Sequence, residues 1–218
     1  MLVSDIIIRV KRQFGDESGV QVTDEDIIRW INDGQRQIVM QNEGLLETTA
    51  TANAVADQQE YSLPVNALVI KSISYKGPDD TAYYKLKGLS MPQLDEYMDG
   101  WSGNPDIAST PLVYTIFGSS IILFPTPDRA QSAALKIFYN RSPVDVTAGA
   151  DTPDLPLLYH DALLKLCLQQ AYEMDEDWDA VAAKAVQLNT DVTVLRGRDS
   201  WKSQETYPMI TIRYEDQD

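Results

Sequence analysis

The chain has 218 residues, of which 44% are hydrophobic, and this is enough apolar content for one large or two small globular domains. Its 33 acidic and 18 basic residues give a formal net charge of −15, which repels phosphate and argues against free nucleic-acid binding as the main activity. The single cysteine, Cys167, excludes an intrachain disulfide. No stretch approaches the roughly 18 apolar residues that a membrane-spanning helix needs. Acidic Asp5 near Met1 does not fit a signal peptide.

Two amphipathic helices are predicted at the start of the chain. The first has Ser4 as its N-cap and Gly15 as its terminator. The second begins at Thr23, whose position three residues before Asp26 is close to a capping box, and it ends within residues 42–44. Its apolar residues recur at helical spacing and form one stripe: Ile27, Trp30, Ile31, Gly34, Ile38 and Val39.

The hydrophobic period changes after Gly44, and short strands are predicted from there on. They cover residues 46–52, 68–75, 82–87, 112–117, 121–124 and 133–139. The turn composition of residues 76–80 makes the second and third of these strands the clearest hairpin, and residues 118–120 predict another hairpin. Five or six short strands indicate a small β-sandwich or barrel.

A short helix and a loop interrupt this run of strands. The helix is predicted over residues 90–98, with Ser90 as its cap. The loop that follows carries Trp101. Loops often carry function, but we expect a single loop tryptophan to pack back onto its own sheet.

Two further helices are predicted in the last third of the chain. The first, from about Leu157, is apolar on most of its circumference and should therefore be buried on most of it. The second covers residues 177–195 and ends at residues 196–198. Because two helices cannot enclose a core, the N-terminal pair is expected to pack against this pair. The predicted fold class is α+β, with a discontinuous four-helix bundle of residues 1–45 and 151–200 and an inserted small β-sandwich or barrel domain of residues 46–150.

Residues 201–218 are predicted to form an extended C-terminal arm. Its alternating apolar segment has no neighbouring strand in the sequence, so it is a candidate for strand addition to another chain. The alternative, that it becomes an edge strand of the chain's own β insert, stays open. The candidate partner-binding residues are Trp201, Met209, Ile210, Ile212, Arg213 and Tyr214.

No catalytic or metal-binding constellation is predicted. His160 is the only histidine, and Cys167 follows it by two helical turns, about 10 Å along the axis and too far for direct proton transfer. The acidic residues 173–179 lack the glycine and the ligand spacing of a calcium loop, so a solvated turn is expected there. Phosphate-binding glycine motifs are absent from the sequence. The sequence therefore predicts no enzyme activity, no cofactor and no metal.

The order helix, helix, β insert, helix, helix resembles that of the head-to-tail adaptor proteins of short-tailed bacteriophages, also called tail tubular or tail accessory proteins. Four segments are similar to that family in detail. They are YSLPVNALVIKSISYKG (61–77), YYKLKGLSMPQLDEYM (83–98), IILFPTPD (121–128) and DLPLLYHDALLKLCLQQAYEMDEDWDA (154–180). None of these segments is a catalytic fingerprint.

This resemblance implies a structural virion protein. The subunits would form a ring homo-oligomer, with a dodecamer as the expected state, at the neck of the virion between the portal protein and the tail nozzle protein. They would be assembled in the host cytoplasm without a membrane. The ring would give a channel for double-stranded DNA, and its acidic wall would not bind that DNA specifically. The C-terminal arm would contact the portal or a neighbouring subunit.

Two functions from other classes stay open on sequence grounds. A carbohydrate-binding β-sandwich module would stack sugars on exposed aromatic rings, although neighbours such as Tyr83 and Tyr84 point to opposite faces of a strand. A glycosidase-type hydrolase would need two carboxylates about 5 to 9 Å apart across a cleft. The candidate rings are Tyr61, Tyr83, Tyr84, Trp101 and Tyr114, and the candidate acids are Asp95, Glu96 and Asp99.

Overall fold

The computed structural model describes residues 1–42, 44–97, 100–101 and 108–203. These residues form five α-helices and two four-stranded β-sheets, so the chain is a mixed α+β protein, as the sequence predicted. The chain divides into two compact units. The first unit joins Met1–Gly44 to the part of the chain that begins at Asp145, and the second unit is Leu45–Val144.

The helices and strands alternate in blocks along the chain. The helices are α1 (Val3–Phe14), α2 (Asp24–Gln41), α3 (Met91–Tyr97), α4 (His160–Met174) and α5 (Trp178–Ser203). The strands are β1 (Glu47–Ala54), β2 (Glu60–Ser62), β3 (Ala67–Tyr75), β4 (Tyr84–Lys85), β5 (Lys87–Gly88), β6 (Val113–Phe117), β7 (Ser120–Phe124) and β8 (Gln131–Arg141).

Helix α1 starts earlier than predicted and ends where predicted. Its N-cap is Leu2, so the prediction of Ser4 is wrong. The Asp5 carboxylate accepts a hydrogen bond from the Leu2 backbone N–H at 3.0 Å, and this bond supports a start two residues closer to the terminus. Gly15 ends the helix with a φ of 93°, a left-handed conformation that glycine adopts without steric cost.

The loop between α1 and α2 is held by the Asp16 carboxylate. It accepts hydrogen bonds from the backbone N–H groups of Val22 at 2.9 Å, Gln21 at 2.8 Å and Val20 at 3.1 Å, and from the Ser18 hydroxyl at 2.9 Å. These donors, with Val22 first, lower the pKa of Asp16 from 3.8 to about 2.

We expect Asp16 to make the stability of the protein depend on acid pH. Because its pKa is lower in the folded chain than its ordinary 3.8, the stabilisation is complete above about pH 4 and is lost as the pH falls toward 2. Asp16→Asn should lower the melting temperature at neutral pH and flatten its decline between these two pH values. Thermal melting of both proteins across this range measures the effect, and parallel curves would contradict it.

The cap and apolar stripe of α2 are confirmed. Thr23 Oγ1 accepts a hydrogen bond from the Asp26 backbone N–H at 3.2 Å. The six residues of the predicted stripe are all buried. They face α4, which also contacts α1 and α5 and has a buried side chain at most of its positions. Gly34 lies close against α4, since a Cβ atom there would lie 3.2 Å from Leu166 Cδ2.

Two amide side chains of α2 bind the segment that leads into α4, and sequence reasoning missed both. Asn32 Oδ1 accepts the Val146 N–H at 2.8 Å, and Asn32 Nδ2 donates to the Val146 carbonyl at 2.9 Å. Gln35 Oε1 accepts the Asp154 N–H at 2.6 Å. These bonds satisfy backbone groups that have no helix or strand to pair with. They therefore tie the N-terminal helices to the C-terminal ones.

Removing the Asn32 amide is expected to destabilise the first unit. Asn32→Ala leaves both backbone groups of buried Val146 without their partner, which costs about 1 to 3 kcal/mol. The control is Gln37→Ala, which removes an exposed amide from the same helix and should change stability by less than about 0.5 kcal/mol. Urea denaturation of the three proteins gives the comparison, and equal losses in both variants would contradict this role of Asn32.

In the second unit, β8 is a central strand of one of the two sheets. The strand orders are β1-β8-β3-β4 and β2-β7-β6-β5. Strand β8 pairs antiparallel with both β1 and β3. Buried side chains from both sheets form one core cluster, whose largest members are Tyr61, Ile73, Tyr75, Leu86, Ile121, Leu123, Leu135, Ile137 and Tyr139.

The predicted hairpin of residues 68–75 with 82–87 forms, but it is much shorter than predicted. Strand β3 pairs with β4 at two positions only and has β8 as its main partner. The reason is Leu86, which is buried in the core between two short strands. On one side of it β4 joins β3, and on the other side β5 runs parallel to β6 in the second sheet. The hairpin of β6 and β7 around Gly118 is confirmed.

The predicted end of the last helix is also wrong. The structure continues α5 through Gly197 to Ser203. A glycine inside a helix costs only about 1 kcal/mol relative to alanine, and no proline lies between Gly197 and Ser203 to stop the helix. Trp201, predicted as the start of an extended arm, therefore lies in the last turn of α5. The other candidate arm residues, Met209, Ile210, Ile212, Arg213 and Tyr214, lie outside the described residues.

Candidate assembly surfaces

The residues that could have served catalysis lie in the interior of the first unit. His160 is buried, and its Nε2 lies 2.9 Å from the Leu155 carbonyl oxygen. Cys167 is fully buried, and this burial raises the pKa of its thiol. A thiol that stays protonated is neither a nucleophile nor a metal ligand at neutral pH. Both side chains therefore act as parts of the core.

Residues 175–177 form an exposed turn between α4 and α5, as predicted, while Glu173 and Asp179 lie in the helices on either side of it. Most of their side chains face solvent. Among the described residues, no group of three or more histidine, cysteine, aspartate or glutamate side chains is placed to hold a metal ion. In the same part of the chain, no helix has the length and apolar character to span a membrane.

The five candidate sugar-stacking rings do not share an exposed surface. Tyr61 and Trp101 are buried, Tyr84 and Tyr114 are half-buried, and Tyr83 is the exposed one of the five. Trp101 packs back into the unit, as predicted, in a cluster with Leu94, Val113 and Phe124.

One of the candidate acids makes a structural contact inside the β unit. Asp95 Oδ1 accepts a hydrogen bond from the Trp101 indole N–H at 2.8 Å, which gives this carboxylate a structural task. Asp99 lies outside the described residues, so the predicted pairs that include it have no described geometry.

Helix α5 has an outer face without charge. Between Asp179 and Arg196 its two charged residues, Lys184 and Asp191, are half-buried, and Asp191 forms an ion pair with Lys165 of α4. A typical surface helix differs, because its charged side chains are exposed to water. The exposed residues of this stretch are Ala182, Ala183, Val186, Gln187, Asn189, Thr190, Thr193 and Val194, and we call them the α5 outer face.

Helix α5 is also weakly enclosed by its own unit. Of the side chains described between residues 178 and 197, those of Leu188 and Val192 are the buried ones. Val186 and Val194 are 66% and 67% exposed. Surfaces that are poor in charge and carry exposed aliphatic groups are typical of the centres of protein–protein contacts. In a chain of net charge −15, such a face suits contact with another protein.

A second apolar surface lies at one end of the β unit, where two loops meet. Phe117 of the β6–β7 hairpin is 65% exposed, and Val65 of the β2–β3 turn is fully exposed. The Leu63 N–H donates to the Ser119 carbonyl at 2.8 Å and holds the two loops together. We call this pair of loops the apolar tip.

The α+β protein thus exposes two surfaces of the kind that is typical of proteins that assemble with other proteins. The profile of the family described as SU10 adaptor protein matches residues 1–208, so the chain belongs to this family of phage head-to-tail adaptors. Membership makes it a bacteriophage structural protein of the virion neck. No curated protein shows significant similarity to the chain.

Proposed function

We propose that the chain forms a ring homo-oligomer between the portal protein and the tail nozzle protein, with twelve as the expected copy number. The ring gives double-stranded DNA a channel. The observation that carries this proposal is the family match over residues 1–208. The four helices of the first unit act as one bundle in this ring, and the two sheets of the second unit act as a sandwich.

Charge decides which surfaces can lie between subunits. Each copy carries a net charge of −15, so copies repel one another unless the surfaces in contact are poor in charge or complementary. A ring also needs two different surfaces on each copy, because its contacts are head-to-tail. The α5 outer face meets the first condition, and we assign it to the contact between the helical units of neighbouring copies.

Other parts of the chain contact the tail nozzle at one end of the assembly and the portal at the other end. The apolar tip of the β unit offers Phe117 and Val65 to the tail nozzle. The C-terminal residues contact the portal or a neighbouring subunit. These residues are Trp201, at the end of α5, and Met209, Ile210, Ile212, Arg213 and Tyr214.

Light scattering of the full chain, with and without the portal protein of its virion, tests the proposal. A stable complex whose mass equals one portal plus a full ring of copies is the expected result. A chain that stays monomeric beside the portal would contradict it. A variant that ends at Ser203 separates the role of the arm, because it should lose this complex while keeping the fold of residues 1–203.

A further inference from the structure

Strand β1 is a long sheet edge that lacks protection. The edge strands of the two sheets are β1, β4, β2 and β5 within the described residues. Strand β1 has eight residues, whereas the other three have two or three each. Natural proteins protect long edges with lysine or proline, and the β1 sequence ETTATANA contains neither. Its one irregularity is a register shift near its end, between Ala52 and Ala54.

The backbone groups that face the free edge follow from the register. The Arg141 N–H donates to the Leu46 carbonyl at 3.0 Å, just before β1 begins. The pairing of β1 with β8 then continues one-to-one up to Ala52. Because antiparallel pairs alternate between bonded and non-bonded positions, every second residue after Leu46 turns its N–H and carbonyl toward β8. The residues between them point to the free edge: Glu47, Thr49 and Thr51.

The side chains of β1 show what kind of strand would fit beside it. Ala50 and Ala52 are half-buried and pack against the margin of the core, where their small methyl groups leave the flank of the cluster partly open. On the other face Glu47, Thr49 and Thr51 are exposed. An added strand should therefore place large apolar side chains on the inner face and polar ones on the outer face. A cation on the outer face would complement Glu47, the one charged residue of β1.

The chain itself contains a segment with this pattern. Residues 209–214 place Ile210, Ile212 and Tyr214 at alternate positions, and Thr211 and Arg213 at the positions between them. In a strand the first set shares one face and the second set shares the other. Arg213 is the only charged residue of the segment, and its charge is opposite to that of Glu47.

We propose that residues 209–214 of one copy add as a strand to the free edge of β1 in a neighbouring copy. Donor and acceptor are different surfaces of the same chain, which is what a closed head-to-tail ring requires. Backbone hydrogen bonds to Glu47, Thr49 and Thr51 supply the affinity, and the two isoleucines cover the open flank of the core. The inference rests on the proposed ring. It identifies the partner of the arm as a second copy of this chain.

Cysteine cross-linking in the portal complex tests this pairing. One full-length chain carries Thr51→Cys and an affinity tag, and a second, untagged chain carries Thr211→Cys. A short bifunctional maleimide should join tagged to untagged chains, while the fully buried Cys167 stays unreactive. The control acceptor is Ser62→Cys, at an exposed position of the short edge strand β2, and it should give no product.

The outcomes separate this inference from the proposed function. If the ring forms but tagged and untagged chains are not cross-linked, the strand addition alone is overturned. The same conclusion follows if a Thr51→Cys, Thr211→Cys double variant forms only cross-links within one chain. Absence of the ring would overturn the proposed function and this inference with it. Thr49→Pro removes a backbone donor that faces the free edge and should cause loss of most of the cross-linked product. A melting curve shows that this variant is folded, and an undiminished yield would also overturn the inference.

Discussion

A single carboxylate on the α5 outer face, introduced by Val186→Glu, is expected to abolish ring formation without unfolding the subunit. Val186 is 66% exposed, so the substitution removes little packing within the chain. In the proposed ring this position lies between copies, where an unpaired carboxylate would lose its hydration at every contact. The ring repeats the penalty once per subunit, and each new charge adds to the repulsion between copies of net charge −15.

The control for this result is Met40→Glu. Met40 is 71% exposed on α2, so the variant adds the same charge to a helix surface outside the α5 outer face. Light scattering with the portal protein should show a ring for Met40→Glu and none for Val186→Glu, while both variants melt like the unmodified chain. A ring of normal mass in the Val186→Glu sample would show that the α5 outer face is free in the assembly.

The second large effect is expected in the core, where Leu163→Asp should prevent the first unit from folding. Leu163 is fully buried in α4, the helix that contacts α1, α2 and α5. The substitution removes a buried aliphatic group and places a carboxylate there without a partner. Together these changes cost about 5 kcal/mol or more, which is comparable to the whole stability of a typical domain, about 5 to 15 kcal/mol.

Leu158→Asp is the matched control for the core substitution. Leu158 is 53% exposed just ahead of α4, so the same chemical change should alter stability by less than about 0.5 kcal/mol. Circular dichroism should show a large loss of helix in the Leu163→Asp protein and an unchanged spectrum in the Leu158→Asp protein. Similar spectra for the two variants would contradict the packing of the N-terminal and C-terminal helices around α4.

The helices could be predicted where their signals are local. Thr23 and Asp26 stand at the spacing of a cap, and the α2 stripe recurs at the spacing of one helix face, so no distant part of the chain was needed to recognise them. The end of α5 had no such signal. Gly197 is a common terminator, but an exposed glycine can also continue a helix at modest cost.

Strand pairing was harder to predict because it depends on residues far apart in the chain. Ser74 and Tyr75 lie close in sequence to their partners in β4, yet β3 forms most of its bonds with β8. No sequence pattern near Leu86 predicts that the chain crosses from one sheet to the other there. Strand β2 is too short to show an alternating pattern, and it was not predicted.

The candidate surfaces could likewise be predicted only where they depend on neighbouring residues in the sequence. The absence of charge from most of α5 is visible in the sequence, but only the structure shows that Lys184 and Asp191 are half-buried while the small residues face outward. The double hydrogen bond of Asn32 to Val146 joins residues that are far apart in the chain, and no local motif marks it.

Electron microscopy of the full chain mixed with the portal protein of its virion tests the central claim most directly. We predict a closed ring of copies stacked on the portal, with α5 of each copy at the contact with its neighbour. Portal particles that carry no added ring, beside free single copies of this chain, would contradict the proposed role in the neck.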